Sequence, residues 1–501
     1  MMATNTVGFA GSLLKPVSIT SGPTVSVSKF GAVGDGKKAD TAAIQSALNY
    51  VKTHGGTLNF EAGKTYIVSE RLKIVGADDF KIDGNDATIK MANGVPVKSG
   101  YSILFIEESN HFAVADLNVD GNRANRSPAE VPAHNIHIKG SQDFSFTEVD
   151  SLNAVADGFY LQASNPADPS TYTKNGLFLD SRADNGFRQG MSIINGDNIL
   201  VIGGAYTNTR GTKPAAGIDV EANRGTAVPG NHDILIKGVT FAGNDGYGVQ
   251  LTARGKPTNI TIEDSRFTDN DRGGVKVGTA STLIKGNTFE NFSESERGIV
   301  DLPAAGTNSN NVIAGNSFNN INTGEPVIFA HHASGANNEV YDNKFFKIDG
   351  PTLDLNASGV TERDNVRTNG PTSPASSPTP VAGLASADGD ATVAPAGDGV
   401  VSGTTGNDQL AATNEAEIVQ GDDTFVFTPG FGKQTITGFE AGAGTGDVIE
   451  FDRSVFADVE SVLAHATQSG SDVVIAADEA NAVTLKNVAV SNLHADDFRF
   501  V

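Results

Sequence analysis

One phrase constrains this chain more than any other feature: it recurs between Asp157 and Leu302 at glycines 158, 190, 217, 248, 274 and 298. The copies read Gly158-Phe-Tyr-Leu-Gln162, Gly190-Met-Ser-Ile-Ile194, Gly217-Ile-Asp-Val-Glu221, Gly248-Val-Gln-Leu-Thr252, Gly274-Val-Lys-Val-Gly278 and Gly298-Ile-Val-Asp-Leu302. The first and third residues after glycine are apolar, with Asp301 the one clear break, while the second and fourth change character. That is the period of a strand with one buried face. A second phrase follows most copies and ends in an aromatic and then Asn: Phe241 and Asn244, Phe267 and Asn270, Phe289 and Asn291, Phe318 and Asn320. Short strands returning every ~27 residues cannot bury an apolar face alone and must stack on their neighbours. The expectation is an all-β chain, a right-handed parallel β-helix with rungs about 4.8 Å apart. The second residues then form one outward column: Tyr160, Ser192, Asp219, Gln250, Lys276 and Val300.

The 501 residues carry 59 Asp plus Glu against 36 Lys plus Arg, a net charge of -23, with no cysteine and no tryptophan. Such acidity argues against a nucleic-acid partner. It leaves room for an acidic glycan, because a local basic strip decides that question. No apolar run reaches the ~20 residues of a membrane span. Residues 1–23 lack the basic start and small-residue cleavage site of a secretory signal and read as a loose leader. A chain without cysteine suits the cytoplasm, or export without disulfides.

After the leader, Val25 to Phe30 reads as a strand and Gly31 to Gly36 as a glycine-rich turn. Asp40-Thr41 is expected to cap a helix bearing Ala43, Ile44, Ala47, Leu48 and Val51, stopped by Gly55-Gly56. No Gly-Lys-Ser/Thr follows the turn, so it is not a phosphate loop. Irregular early turns are expected around Phe80 and Leu117, and insertions on the binding face at 122–132 and 165–174. The Pro/Ser/Thr-rich stretch after residue 367 reads as a linker over 368–386, dividing a β-helix at 24–367 from a smaller domain at 387–501.

The run from Phe30-Gly-Ala-Val-Gly-Asp-Gly36 through Asp40-Thr-Ala-Ala-Ile-Gln-Ser-Ala-Leu48 to Gly55-Gly-Thr-Leu-Asn-Phe60 resembles the N-terminal cap of the pectate-lyase-like superfamily. That superfamily includes polygalacturonases, phage tailspikes and alginate C-5 epimerases, and the resemblance implies a capped β-helix acting on a polysaccharide. Gly403, Gly406, Asp408 and Leu410, with Gly421, Asp423 and Phe425, resemble one and a half RTX repeats. This implies Ca²⁺ held by Asp408 and Asp423 together with glycine carbonyls. The ending Asp496-Asp-Phe-Arg-Phe-Val501 resembles an uncleaved type I export signal, which implies the type I secretion machinery as a partner and an extracellular location.

On the column, Asp219 and Glu221 stand two apart on one strand and so leave the same face. A carboxylate pair is what glycoside hydrolysis requires, one group protonating the leaving oxygen while the other activates water or attacks. Asp157 is a third candidate carboxylate. Arg188, Arg254 and Lys276 supply cationic groups for an acidic chain, with Tyr160, Gln189, Ser192 and Gln250 as further substrate contacts. The alternatives are a polysaccharide lyase or C5-epimerase working through Tyr160 with Lys276 or Arg188, and a non-catalytic adhesion protein. The epimerases' Asp-Pro-His-Glu phrase is absent at Gly158 to Gln162. A metal role for His331-His332 would need a third ligand. If the RTX resemblance holds, chelating calcium lowers the melting transition of the C-terminal domain alone. Calorimetry with and without chelator reads this, and two chelator-insensitive transitions would remove the calcium site.

Overall fold

The computed structural model describes residues 7–368, apart from 99, 127–132, 224–225, 228, 305–307, 333–334 and 356–358. Beyond these it describes 409–411, 424–427, 433–437, 439, 441–442, 448–451, 453, 455–478, 481–486 and 488–500. Two compact units emerge, Met1–Ala375 and Ser376–Val501.

In the first unit the repeat coils as its period requires. Eleven strands form a wholly parallel sheet in chain order, from Leu72–Val75 through Asp157–Gln162, Gln189–Ile193, Ile218–Val220, Tyr247–Leu251 and Gly273–Val277 to Leu353–Leu355. A second network of 23 strands makes the remaining walls, its two ladders fused in the long strands Asp78–Met91, Asn110–Asp120 and Gln142–Leu152. These long strands cover the segments expected to be irregular, which lack the glycine marker yet keep the alternation. Inside, the aromatic of the second phrase stacks on its counterpart from Tyr206 through Phe241, Phe267, Phe289 and Phe318 to Phe345, with centroids 4.7 to 6.0 Å apart. The helix Thr41–His54 covers the first rungs with Ile44, Ala47, Leu48 and Val51 buried, so the apolar end of those rungs is shielded from water.

Several expectations are corrected. Val300 pairs with Val275 in the core, and it is Asp301 that pairs with Lys276, so the column continues through Asp301. The last copy has slipped one residue relative to its glycine, which explains the apparent break in the pattern. Asp40 makes no side-chain cap on the helix; its carboxylate instead accepts the amides of Val33 at 2.7 Å and Gly34 at 3.2 Å and folds the glycine turn. Val25 to Phe30 is a strand only over Thr24–Ser26, followed by a 3-10 turn at Val27–Phe30.

The leader is not loose where it is described. From Gly8 to Val17 it lies across the outer face of the second network, over the register column Ser145, Leu177, Leu200, Leu235, Thr261 and Leu283. The Phe9 amide donates to Thr261 Oγ1 at 2.8 Å and the Val17 amide to Ser145 Oγ at 2.9 Å, while Phe9 and Leu14 pack on Leu177, Leu200 and Leu235. Gly8 is required there: its φ is +102° and an added Cβ would meet Thr261 Oγ1 at 2.5 Å.

The second unit has two four-stranded sheets around Phe425, Phe427, Phe451, Ile475 and Leu485. The terminal acidic pair precedes an ordinary last strand, Phe498–Phe500, parallel to Val448–Phe451. Asp497 accepts the Gly442 amide at 2.9 Å and so ties down that end.

At a corner of the β-helix an asparagine ladder closes the hydrogen bonding, Asn287 Nδ2 donating to Asn316 Oδ1 and Asn316 Nδ2 to Asn343 Oδ1, each at 3.0 Å. Asn316 also receives the Asn287 amide and donates to the Ile284 carbonyl. Asn316→Ala therefore strands several buried polar groups and is expected to cost about 2–4 kcal/mol, measured by denaturant unfolding.

Candidate active site

The outward column of the eleven-stranded sheet reads Phe105, His137, Tyr160, Ser192, Asp219, Gln250, Lys276 and Asp301, one residue per rung. Beside it, near the strand starts, His134, Asp157 and Gln189 occupy consecutive rungs. Because every strand is parallel and in register, residues far apart in sequence meet about 4.8 Å apart.

Asp157 is fully buried and saturated. Arg188 donates to it through Nε at 2.7 Å and Nη2 at 2.5 Å, Ser192 Oγ adds a bond at 3.0 Å, and His134 Nδ1 lies at 3.3 Å. Burial alone would raise this carboxyl, but the Arg188 charge and bonds, aided by His134, hold it well below the usual carboxylate range. It is an anchored anion.

Asp219, only 1 % exposed, stands two rungs after Tyr160 and accepts from Gln189 Nε2 at 2.9 Å and Gln250 Nε2 at 3.2 Å. Burial, and then the neighbouring Glu221 charge, push its carboxyl up to about 7, with Gln250 and Arg188 opposing incompletely. Glu221 emerges at the strand's end, partly exposed, and pairs with Arg254 at 2.5 Å. Asp219 thus retains a proton near neutrality, while Asp157 does not take one.

Tyr160 lies flat on His134, ring centroids 4.0 Å apart and planes within 6°, and edge-on to His137. Burial and the Asp157 charge push its phenol up to about 12. Burial likewise lowers both histidines, His137 to about 2, so both imidazoles are neutral. Sequence reasoning missed them, although Ala133-His-Asn-Ile-His-Ile138 has the right alternation one turn before Gly158. The signal was the alternation without its glycine.

Asp157, Tyr160, Arg188, Gln189, Ser192, Asp219 and Gln250 therefore form one contiguous polar patch, with Glu221 and Arg254 at its rim. Arg188 and Arg254 are committed to carboxylates and are not idle cations. Lys276 lies one rung past Gln250, its Nζ 5.6 Å from the Tyr247 ring centre, where Tyr247 donates to Asp301 Oδ2 at 3.1 Å. Asp408 and Asp423 lie outside the described residues. Among the described residues, one trio offers three ligand atoms within 4.8 Å of one another: Asp197, His232 and Asp233. Lys174 already pairs with Asp197 there, and the Ala10 amide of the leader bonds Asp233.

The raised Asp219 makes a signed prediction. Between an unfolded value of about 3.9 and a folded value of about 7, the native state binds a proton that the unfolded chain has lost. Stability therefore falls as pH rises through that window. Asp219→Asn removes the penalty, so the melting temperature of the variant relative to wild type should climb from pH 4 to pH 7, and a pH-independent difference would refute the assignment.

Two family descriptions match the chain: "Rhamnogalacturonase A/epimerase, pectate lyase-like" over residues 24–206, and "Right handed beta helix region" over residues 218–366. Mannuronan C5-epimerase AlgE1 of Azotobacter vinelandii is 29% identical over 266 residues, 45% of this chain and 18% of that protein. Plasmin and fibronectin-binding protein A of Streptococcus pneumoniae is 26% identical over 301 residues, 54% of this chain and 40% of that protein. Among solved structures, the A-module of Azotobacter vinelandii mannuronan C-5 epimerase AlgE4 is similar at 18% identity and a TM-score of 0.47, covering 68% of this chain and 100% of that one. The chain spans less than a third of the length of the mannuronan epimerases first matched. Its first unit is a right-handed parallel β-helix, similar over residues 24–206 to the pectate-lyase-like family and in sequence to the mannuronan C5-epimerases.

Proposed function

We propose that the chain is an extracellular polysaccharide-degrading enzyme that hydrolyses an acidic glycan, with Asp219 and Glu221 as its carboxylate pair. The observation that carries this is the divergence of two neighbouring acids: Asp157 is bonded by the Arg188 guanidinium, while buried Asp219 accepts only from the amides of Gln189 and Gln250 beside the Glu221 charge, which raises its carboxyl. Carboxyl groups whose environments push them apart are the basis of acid and base assignment. In this reading the Asp219 proton passes to the departing glycosidic oxygen, and the partly exposed Glu221 activates water or attacks the anomeric carbon. Asp157 with Arg188 and Ser192 holds the floor of the site rigid. Gln189 and Gln250 orient Asp219; with the acid protonated, either amide can turn its oxygen to accept that hydrogen.

A second reading is favoured by a specific contact, the Tyr160 ring stacked on neutral His134, and by the epimerases among the relatives. In it Tyr160 and a histidine exchange the C5 proton of a uronate, giving epimerisation, or elimination when the leaving group departs. The C-terminal unit is proposed to bind Ca²⁺ through Asp408 and Asp423 and to serve type I export, on the strength of its repeat-like glycines and aspartates and its acidic-hydrophobic ending.

Alginate and polygalacturonate digestions followed by reducing ends, unsaturated-uronate absorbance and proton NMR test both. Hydrolysis gives reducing ends without absorbance, and Asp219→Asn lowers the rate about 10²–10⁴-fold while Tyr160→Phe is milder. Absorbance, or a changed C5 configuration abolished by Tyr160→Phe, selects the second reading. Binding with no chemistry in any channel would make the chain an adhesion module.

A further inference from the structure

The early rungs hold polar groups that the Asp219 site does not use. Arg126 is 6 % exposed, its Nε donating to the Val95 carbonyl and its Nη1 to the Gly121 carbonyl, each at 3.1 Å, while its buried Nη2 has no partner. It lines a cavity of ≈ 430 Å³ with Val95, Pro96, Val97 and Asn125. Arg71 donates to the Gly100 carbonyl and spreads over the rings of Tyr101 and Phe105, at 5.3 and 4.8 Å, leaving a buried Nε without a partner. In the same neighbourhood the Ser102 hydroxyl is buried with no hydrogen bond. Among the described residues neither arginine makes an ion pair, and the carboxylate of that rung, Glu107, is taken by Lys139 at 2.6 Å.

Buried donors left unpaired are costly and call for a partner. Here two guanidinium groups are aimed by carbonyls, which fix orientation without neutralising charge, and the orphaned Ser102 hydroxyl beside them is a donor. The complement is an anion with several acceptor oxygens. Burial pulls both guanidinium groups below their usual value, the direction that an added anion would reverse.

We infer that Arg71 and Arg126 form an anion subsite for a carboxylate-bearing sugar, separate from the Asp219 pair and upstream of it on the same face. This rests on the reading that the face binds a polysaccharide. Phe105 stands four rungs before Asp219, through His137, Tyr160 and Ser192, or about 19 Å at 4.8 Å per rung. Only a chain several sugars long spans both, so the subsite selects for polymer length as well as charge.

Calorimetric titration of the full chain carrying Asp219→Asn, in which hydrolysis is slowed about 10²–10⁴-fold, tests this with octameric and trimeric oligogalacturonates and oligomannuronates and their carboxyl-reduced counterparts. Arg126→Gln and Arg71→Gln should each weaken the acidic octamer of at least one series by about tenfold or more, and leave the trimer and the reduced octamer within about twofold of the parent. Should Arg126→Gln fail to fold, Arg126→Lys keeps the charge without the two-carbonyl clamp and is expected to give an intermediate loss. Folded variants that bind the acidic octamers as the parent does would overturn the subsite, as would an equal loss for the reduced chains or no octamer binding by the parent. Octamer binding that depends on the arginines in a protein without hydrolytic activity would sink hydrolysis and leave the subsite standing.

Discussion

Register is the constraint on which the rest of this β-helix depends. Parallel rungs in step place each side chain on its counterpart above and below, so every column must be tolerable as a stack at about 4.8 Å. Aromatic rings satisfy this by lying face to face, as the Phe241 to Phe345 column does. Asparagine satisfies it because each amide both donates and accepts along the stack, as from Asn287 to Asn343. Like charges cannot. The outward column through Asp219 accordingly changes chemistry at every rung, from His137 and Tyr160 through Ser192 and Asp219 to Gln250 and Lys276.

The same stacking concentrates electrostatics. Asp157 and Asp219 differ by two rungs and share Arg188 as a neighbour, yet the guanidinium bonds only the first. Once Arg188 is spent on Asp157, Asp219 keeps only amide donors and a like charge at Glu221, and so holds its proton. Moving the Asp157 anchor would redistribute Arg188 and alter the acid two rungs away. The two carboxylates are therefore one electrostatic unit, though no hydrogen bond joins them directly.

Much of this was legible before any coordinates. The glycine phrases named the rungs, and Tyr160, Ser192, Asp219, Gln250 and Lys276 fall on one column as their spacing implied. What failed did so for identifiable reasons. Val300 was misplaced because glycine was trusted as the marker after the chain had slipped by one, whereas Asp301 in an otherwise apolar position already hinted at the shift. His134 and His137 escaped because their rung has no glycine. Asp40 looked like a helix cap, since the sequence does not reveal that two amides of the preceding turn compete for its carboxylate. Ion pairing was the least readable: arginines at 188 and 254 looked available for substrate, and only coordinates show each beside a carboxylate.

The leader segment completes the architecture. A solenoid is held mostly by contacts between adjacent rungs, so local opening at one rung need not disturb the next. Bonds from the Phe9 amide to Thr261 and from the Val17 amide to Ser145, with Phe9 and Leu14 over Leu177, Leu200 and Leu235, are contacts of the opposite kind, tying several rungs to one strand of chain. The rungs so tied are those that carry Tyr160 through Gln250 on another wall. Asp219 and its anchor Asp157 differ by two rungs and depend on those rungs keeping their spacing, and an apolar column outside the helix, covered by the leader, supplies that restraint without occupying the wall that carries Asp219.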